Sequence, residues 1–144
     1  LLLPLLGKLK RGPFVSDRAG RSLADQLIER FQVKVANPGR PVRVLSGGNQ
    51  QKVVIAKWLG TDPDVLIMDE PTAGVDIGTK SEILETIRGL ADTGKGVIVI
   101  SSELPELLAV SDRVLVLRGG AIDSQLDRAD IPDEETLQLA VQGV

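Results

Sequence analysis

Short, unbroken aliphatic runs with no polar alternation occur at Val65 to Met68, Val97 to Ile100 and Val114 to Leu117. Runs of this kind predict strands buried on both faces of a parallel sheet. Between the first two, Ile83, Leu84, Ile87 and Leu90 recur at helical spacing, and Thr79-Lys80-Ser81-Glu82 ahead of them reads as a capping box. A shorter helical piece, Pro105 to Ala109, separates the second and third runs. Strand, helix, strand, helix, strand is the repeat of an α/β domain. After Gly119-Gly120 the segment from Ala121 predicts a hairpin partner strand, and Pro132 through Ala140 an acidic-started helix.

The first half has a different texture. Leu23, Leu27, Ile28 and Phe31 form one helical stripe, and Asn37-Pro38-Gly39-Arg40-Pro41 is a strong breaker, so a new element starts near Val44 with Ser46 able to cap it. From Gln50 to Leu59 the apolar Val53, Val54, Ala56 and Trp58 mix with Lys52 and Lys57 in a helical pattern that Gly60 and Pro63 end. Trp58 is expected in the core, and Lys8, Lys10 and Arg11 on a solvated face.

Composition narrows the class. A chain of 144 residues, 42% apolar and 26% charged, is globular and large enough for one domain or part of one. Seventeen basic against twenty acidic side chains leave no basic field to hold nucleic acid. The absence of Cys removes thiolate metal sites, and the absence of His removes imidazole bases and ligands. The longest apolar run, Leu1 to Leu6, is broken by Pro4 and falls far short of the roughly 20 residues that span a bilayer. The chain begins without Met in the middle of an element, and a fragment or processed piece is expected.

Two stretches carry chemistry. In Leu-Ser-Gly-Gly-Asn-Gln-Gln-Lys, residues 45 to 52, Ser46 and two glycines open a helix, which leaves backbone N–H groups uncovered at the positive end of the helix dipole. An anion is the natural ligand, although a lone Ser-Gly-Gly also describes an ordinary capped helix. Seventeen residues after Gly48 begins Val-Leu-Ile-Met-Asp-Glu-Pro-Thr, residues 65 to 72, which puts Asp69 and Glu70 at the C-terminal end of a strand, where parallel sheets place ligands. A third stretch is a decoy. Residues 89 to 96 match the phosphate-loop spacing up to Gly96, where Ser or Thr is needed, but they leave a helix and open a strand, so Gly94 reads as a helix C-cap.

Residues 45 to 52 resemble the signature of ATP-binding cassette proteins in its carbohydrate-importer form, and residues 65 to 72 look like the Walker B strand of the same family. The resemblance implies an α/β fold: a partial P-loop NTPase of RecA type, the nucleotide-binding domain of a cassette without its Walker A half. Residues 1–62 would be part of the helical subdomain with the signature, and 63–144 the C-terminal part of the RecA-like core. It further implies that Ser46, Gly47, Gly48 and Gln50 contact the ATP of an opposite cassette, and that Asp76 in the D-loop reaches across the dimer interface. Asp69 would hold Mg²⁺ through water, with Glu70 orienting or deprotonating the attacking water. Most cassettes carry a switch His after the next strand; here Ser102 stands in that place, and a hydroxyl brings no positive charge, so this cassette's own site is expected to be slow or silent. That departure fits the second cassette of a bacterial monosaccharide importer for ribose, galactose, xylose or arabinose. The cofactors implied are ATP and Mg²⁺, and the partners a first ATP-binding cassette, membrane permease subunits and, indirectly, a periplasmic sugar-binding protein, at the cytoplasmic face of the inner membrane. Without a phosphate loop the chain alone is expected to be inactive. Two other readings stay open, a catalytically silent regulatory cassette half and a soluble non-transport cassette ATPase.

Overall fold

The structure, a computed structural model, describes residues 1–11 and 14–143; the side chain of Arg11, expected on a solvated face, lies outside the described residues. Two compact units are present, one of Leu1–Leu66 with Thr72–Ile83 and one of Ile67–Pro71 with Leu84–Val144.

The first unit opens with α1 (Leu6–Leu9) and a two-residue antiparallel ribbon, β1 (Lys10–Arg11) against β2 (Phe14–Val15). Ser16 then caps α2 (Asp17–Arg30), its hydroxyl accepting the Ala19 N–H at 3.3 Å. Along the predicted stripe Leu27 and Phe31 are buried, and Leu23 and Ile28 are half-buried. The next helix, α3 (Gly47–Leu59), packs on α2 and buries Val53, Ile55, Ala56 and Leu59. Leu5 and Leu27 close over Gly60 at its end, where a Cβ would lie 2.9 and 3.1 Å from their methyl groups. Lys8 does more than face solvent, because its ammonium donates to the carbonyls of Gly60 and Thr61 at 3.3 and 3.0 Å, a cation at the negative end of α3. Trp58 is not in the core. It is 49% exposed, one turn from exposed Val54, with the Lys57 ammonium 4.7 Å above its ring.

Strand β3 (Val65–Asp69) hydrogen-bonds β4 (Gly96–Ile100), and α4 (Ile77–Asp92) connects them in sequence. Helix α4 starts earlier than its capping-box pattern suggests. Asp76 is the cap, its carboxylate accepting the Thr79 N–H at 3.0 Å and the Thr79 hydroxyl at 2.9 Å. At the other end Gly94 takes φ +86° and donates to Ala91, so the decoy is a helix C-cap as expected. The strands depart from the expectation of burial on both faces. Val65, Ile67, Ile98 and Ile100 are exposed while Met68 is buried, and in β5 (Arg113–Arg118) Val114 and Val116 are buried while Leu115 and Leu117 are exposed. The reason is architectural: each sheet among the described residues has two strands, and side chains alternate across it with only one face covered.

The second unit continues with α5 (Leu104–Val110), β5, β6 (Ala121–Asp127) and α6 (Glu134–Gln142). Gly119 and Gly120, with φ of +58° and +84°, make the two-residue turn that pairs Arg118 with Ala121. Val114, Ile131 and Leu137 form the core here, with Leu104, Leu107, Leu108 and Leu126 packed against it. Asp133 caps α6, accepting the Thr136 N–H, which holds its carboxyl below the ordinary range. No helix among the described residues is long and apolar enough to cross a membrane.

Candidate functional site

The residues singled out by sequence fall into two groups, one on each unit. On the first unit, Ser46 is the N-cap of α3, with an extended backbone and its carbonyl bonded to the Gln50 N–H at 2.9 Å. Its hydroxyl makes no cap bond to the helix amides, contrary to the usual N-cap habit. Instead it accepts the side-chain amide of Asn49 at 2.9 Å. The Gln50 side-chain amide donates to the Leu45 carbonyl at 2.8 Å and so braces the loop entering α3.

The two glycines differ in how closely the chain lies behind them. A Cβ on Gly47 would sit 3.3 Å from the Gly74 carbonyl, and one on Gly48 would sit 2.9 Å from Thr79 Cβ and closer still to its methyl. Gly48 is therefore buried against Thr79, the residue whose amide and hydroxyl Asp76 binds. One turn along, Lys52, almost wholly buried, pairs with Glu82 at 2.5 Å and donates to the Gln32 carbonyl at 3.3 Å. Gly47 on Gly74, Gly48 on Thr79 and Lys52 on Glu82 make a continuous seam along one side of α3. The Lys52 hydrogen bond and charge hold the Glu82 carboxyl below its ordinary range, and the Thr79 N–H does the same for Asp76. Asp76 is thus engaged within its own chain as a helix cap. Asn49, Lys52 and Thr79 escape a motif reading, because their roles depend on which neighbour a folded helix brings near.

On the second unit, Asp69 ends β3 on an exposed position and Glu70 follows it with φ +46°. A left-handed backbone costs a non-glycine residue about 1–2 kcal/mol, and two bonds hold Glu70 there. Its N–H donates to the Ile100 carbonyl at 2.8 Å, and its carboxylate accepts the Ser102 N–H at 2.8 Å. Glu70 and the loop after β4 meet through the backbone N–H of Ser102. Beside it the Ser101 hydroxyl donates to buried Glu106 at 3.0 Å and accepts the Glu103 N–H, which fixes the loop.

Among the described residues no group of three His, Cys, Asp or Glu side chains could cage a metal. An exposed carboxylate at a strand end suits a cation that takes one or two carboxylates and completes its shell with phosphate oxygens and water, which is the habit of Mg²⁺. Asp69 would hold it. A left-handed residue at an acidic strand end is the kind of backbone found at functional sites, and a helix start with uncovered amides suits an anion.

The ABC transporter family pattern matches residues 10–73. The ribose import ATP-binding protein RbsA of Bacillus licheniformis is 45% identical over 143 residues, 99% of this chain and 29% of that protein. Ribose import ATP-binding protein RbsA 2 of Agrobacterium fabrum is 48% identical over 136 residues, 94% of this chain and 27% of that protein. Among solved structures, a dimeric ATP-binding cassette in a post-hydrolysis state bound to ADP and Pi superposes with a TM-score of 0.74 at 27% identity, covering 88% of this chain and 53% of that one. The chain spans less than a third of the length of these sugar-import relatives, and with its signature turn and acidic strand end it belongs to the ATP-binding cassette family of ABC transporters, matching a sugar-importer cassette.

Proposed function

We propose that the chain supplies part of an ATP-hydrolysing cassette that drives carbohydrate import, with residues 45–50 closing over the γ-phosphate of ATP held by a first cassette. The observation that carries this reading is the N-terminal turn of α3. Its glycines and the Gln50 and Asn49 amides are used inward, which leaves the helix amides and the Ser46 hydroxyl for an outside acceptor. Gly47 and Gly48 act by allowing the turn to seat on Gly74 and Thr79. Asp76 acts by holding Thr79, which backs Gly48.

Asp69, Glu70 and Ser102 belong to this cassette's own site. Mg²⁺ on Asp69 would supply charge neutralisation for the transferred phosphoryl group. Glu70, fixed by the Ser102 N–H, orients a water, and Ser102 offers a hydroxyl but no positive charge to the phosphate. That site turns over slowly, and most hydrolysis occurs where the signature serves the first cassette. Residues 1–62 belong to the helical subdomain that meets the permease and 63–144 to the RecA-like core, at the cytoplasmic face of the membrane; a periplasmic sugar-binding protein is an indirect partner, and nucleic acid is not one. The relatives are ribose import proteins by name, and ribose is the first sugar to try.

The test reconstitutes the full-length protein with its permease in vesicles and measures ATP hydrolysis with and without transported sugar. Sugar-stimulated hydrolysis coupled to uptake is expected. Hydrolysis stimulated by ribosomes or nucleic acid, and indifferent to the permease, would establish the soluble ATPase reading instead.

A further inference from the structure

Ser46 and Asn49 form a small device whose polarity can be read from donors and acceptors alone. The Lys34 backbone N–H, which can only donate, points at the Asn49 carboxamide at 2.6 Å. The carboxamide must therefore turn its oxygen to Lys34, since the reverse would set N–H against N–H. Its nitrogen then faces Ser46, 2.9 Å from the hydroxyl oxygen, which must accept. A hydroxyl that accepts from an amide keeps its own proton for another acceptor, and Ser46 gives none of its side chain to the helix amides. The exposed Ser46 O–H is thus set as a donor, and it sits on the turn whose free helix amides also donate.

We propose that Asn49 is a positioning residue: anchored on the Lys34 amide, it orients the Ser46 hydroxyl so that its proton is presented to a phosphate oxygen. The proposal rests on the reading of residues 45–50 as a γ-phosphate surface and adds the residue that gives this surface its hydrogen-bond polarity. It also accounts for Asn at a position whose neighbours Gln50 and Lys52 are used to brace the helix. A donor bonded to a charged acceptor is worth roughly tenfold or more in the step that uses it, so Asn49 acts at second hand with an effect of that order.

The experiment is a double-mutant cycle in the full-length protein with its permease, reading kcat, KM for ATP and thermal unfolding for Ser46→Ala, Asn49→Ala and the pair. Each single change should lower kcat about tenfold or more with KM little changed, and the double variant should be no slower than Ser46→Ala. Asn49→Asp serves as the fold control, because its carboxylate still accepts from Lys34 while drawing the Ser46 proton inward. It should melt like the parent and hydrolyse as slowly as Asn49→Ala. Wild-type hydrolysis in Asn49→Asp, or additive losses in the double variant, would overturn the positioning role. Wild-type hydrolysis in Ser46→Ala would instead remove the phosphate-surface reading on which the proposal stands.

Discussion

The start of α3 and the end of β3 are both places where a protein can meet phosphate, and they are built in opposite ways. At α3 almost every side chain is engaged with the protein itself: Asn49 with Ser46 and Lys34, Gln50 with Leu45, Lys52 with Glu82, and the two glycines with Gly74 and Thr79. What remains for a ligand is one hydroxyl and backbone amides, donors only. At β3 the backbone is the engaged part, with Glu70 held in a left-handed conformation, and what remains outward is acidic. A donor-only surface can recognise an anion but do no proton chemistry on it, whereas carboxylates can hold a cation or a water but repel a bare phosphate. Each end lacks what the other has, which fits the proposed reading that a complete site draws on two cassettes.

The largest effect that could break this contrast is expected from Gly48→Asp. The side chain would collide with Thr79 and also set a carboxylate at an anion surface, so hydrolysis by the assembled protein should fall to background and the fold should lose about 1–3 kcal/mol. Gly48→Ala separates the two, keeping the collision without the charge, and unfolding should register it at similar size. Next comes the chain by itself, which has the donor turn and the acidic end but no phosphate loop; calorimetry should find no micromolar ATP affinity.

A smaller effect concerns the seam. The Glu82 and Asp76 carboxyls are held below their ordinary range, by the Lys52 hydrogen bond and the Thr79 N–H respectively. A depressed folded value means that their contribution is complete above the ordinary carboxylate range, near pH 4, and is lost as pH falls through the depressed values. Unfolding followed against pH should show an acid-side loss that Glu82→Gln flattens. The smallest effect is Trp58→Ala, expected to cost under about 1 kcal/mol through the Lys57 contact, against the 3–5 kcal/mol of a buried aromatic.

These outcomes mark how far residues alone carry the account. Strand and helix order, the Gly119-Gly120 turn, the Gly94 cap and the Leu27–Phe31 stripe follow from local rules, because turn chemistry and periodicity act within a few residues. Trp58 does not: Val53, Val54, Ala56 and Trp58 surround the helix, and only the packing of α2 and the Leu3–Leu5 turn decides that 53 and 56 face inward while 54 and 58 face out. The aliphatic runs say that a strand can be covered on both faces and not that it is. The motifs mark Ser46, Gly48, Asp69 and Glu70 as candidates, but the distant partners of Asn49 and Lys52 are tertiary facts. The packing of Gly48 against Thr79 is tertiary for the same reason.

On the proposed reading, residues 45–50 serve a partner's ATP while the site built on Asp69, Glu70 and Ser102 contributes little. Ser46→Asp tests it without disturbing the fold, because Asp is an equally good N-cap and Ser46 is exposed. Compared with Glu70→Gln in the full-length protein assembled with its permease, Ser46→Asp should retain ATP loading and lose about 100-fold or more of steady-state hydrolysis, while Glu70→Gln keeps most of it. Greater loss in Glu70→Gln than in Ser46→Asp would contradict the account.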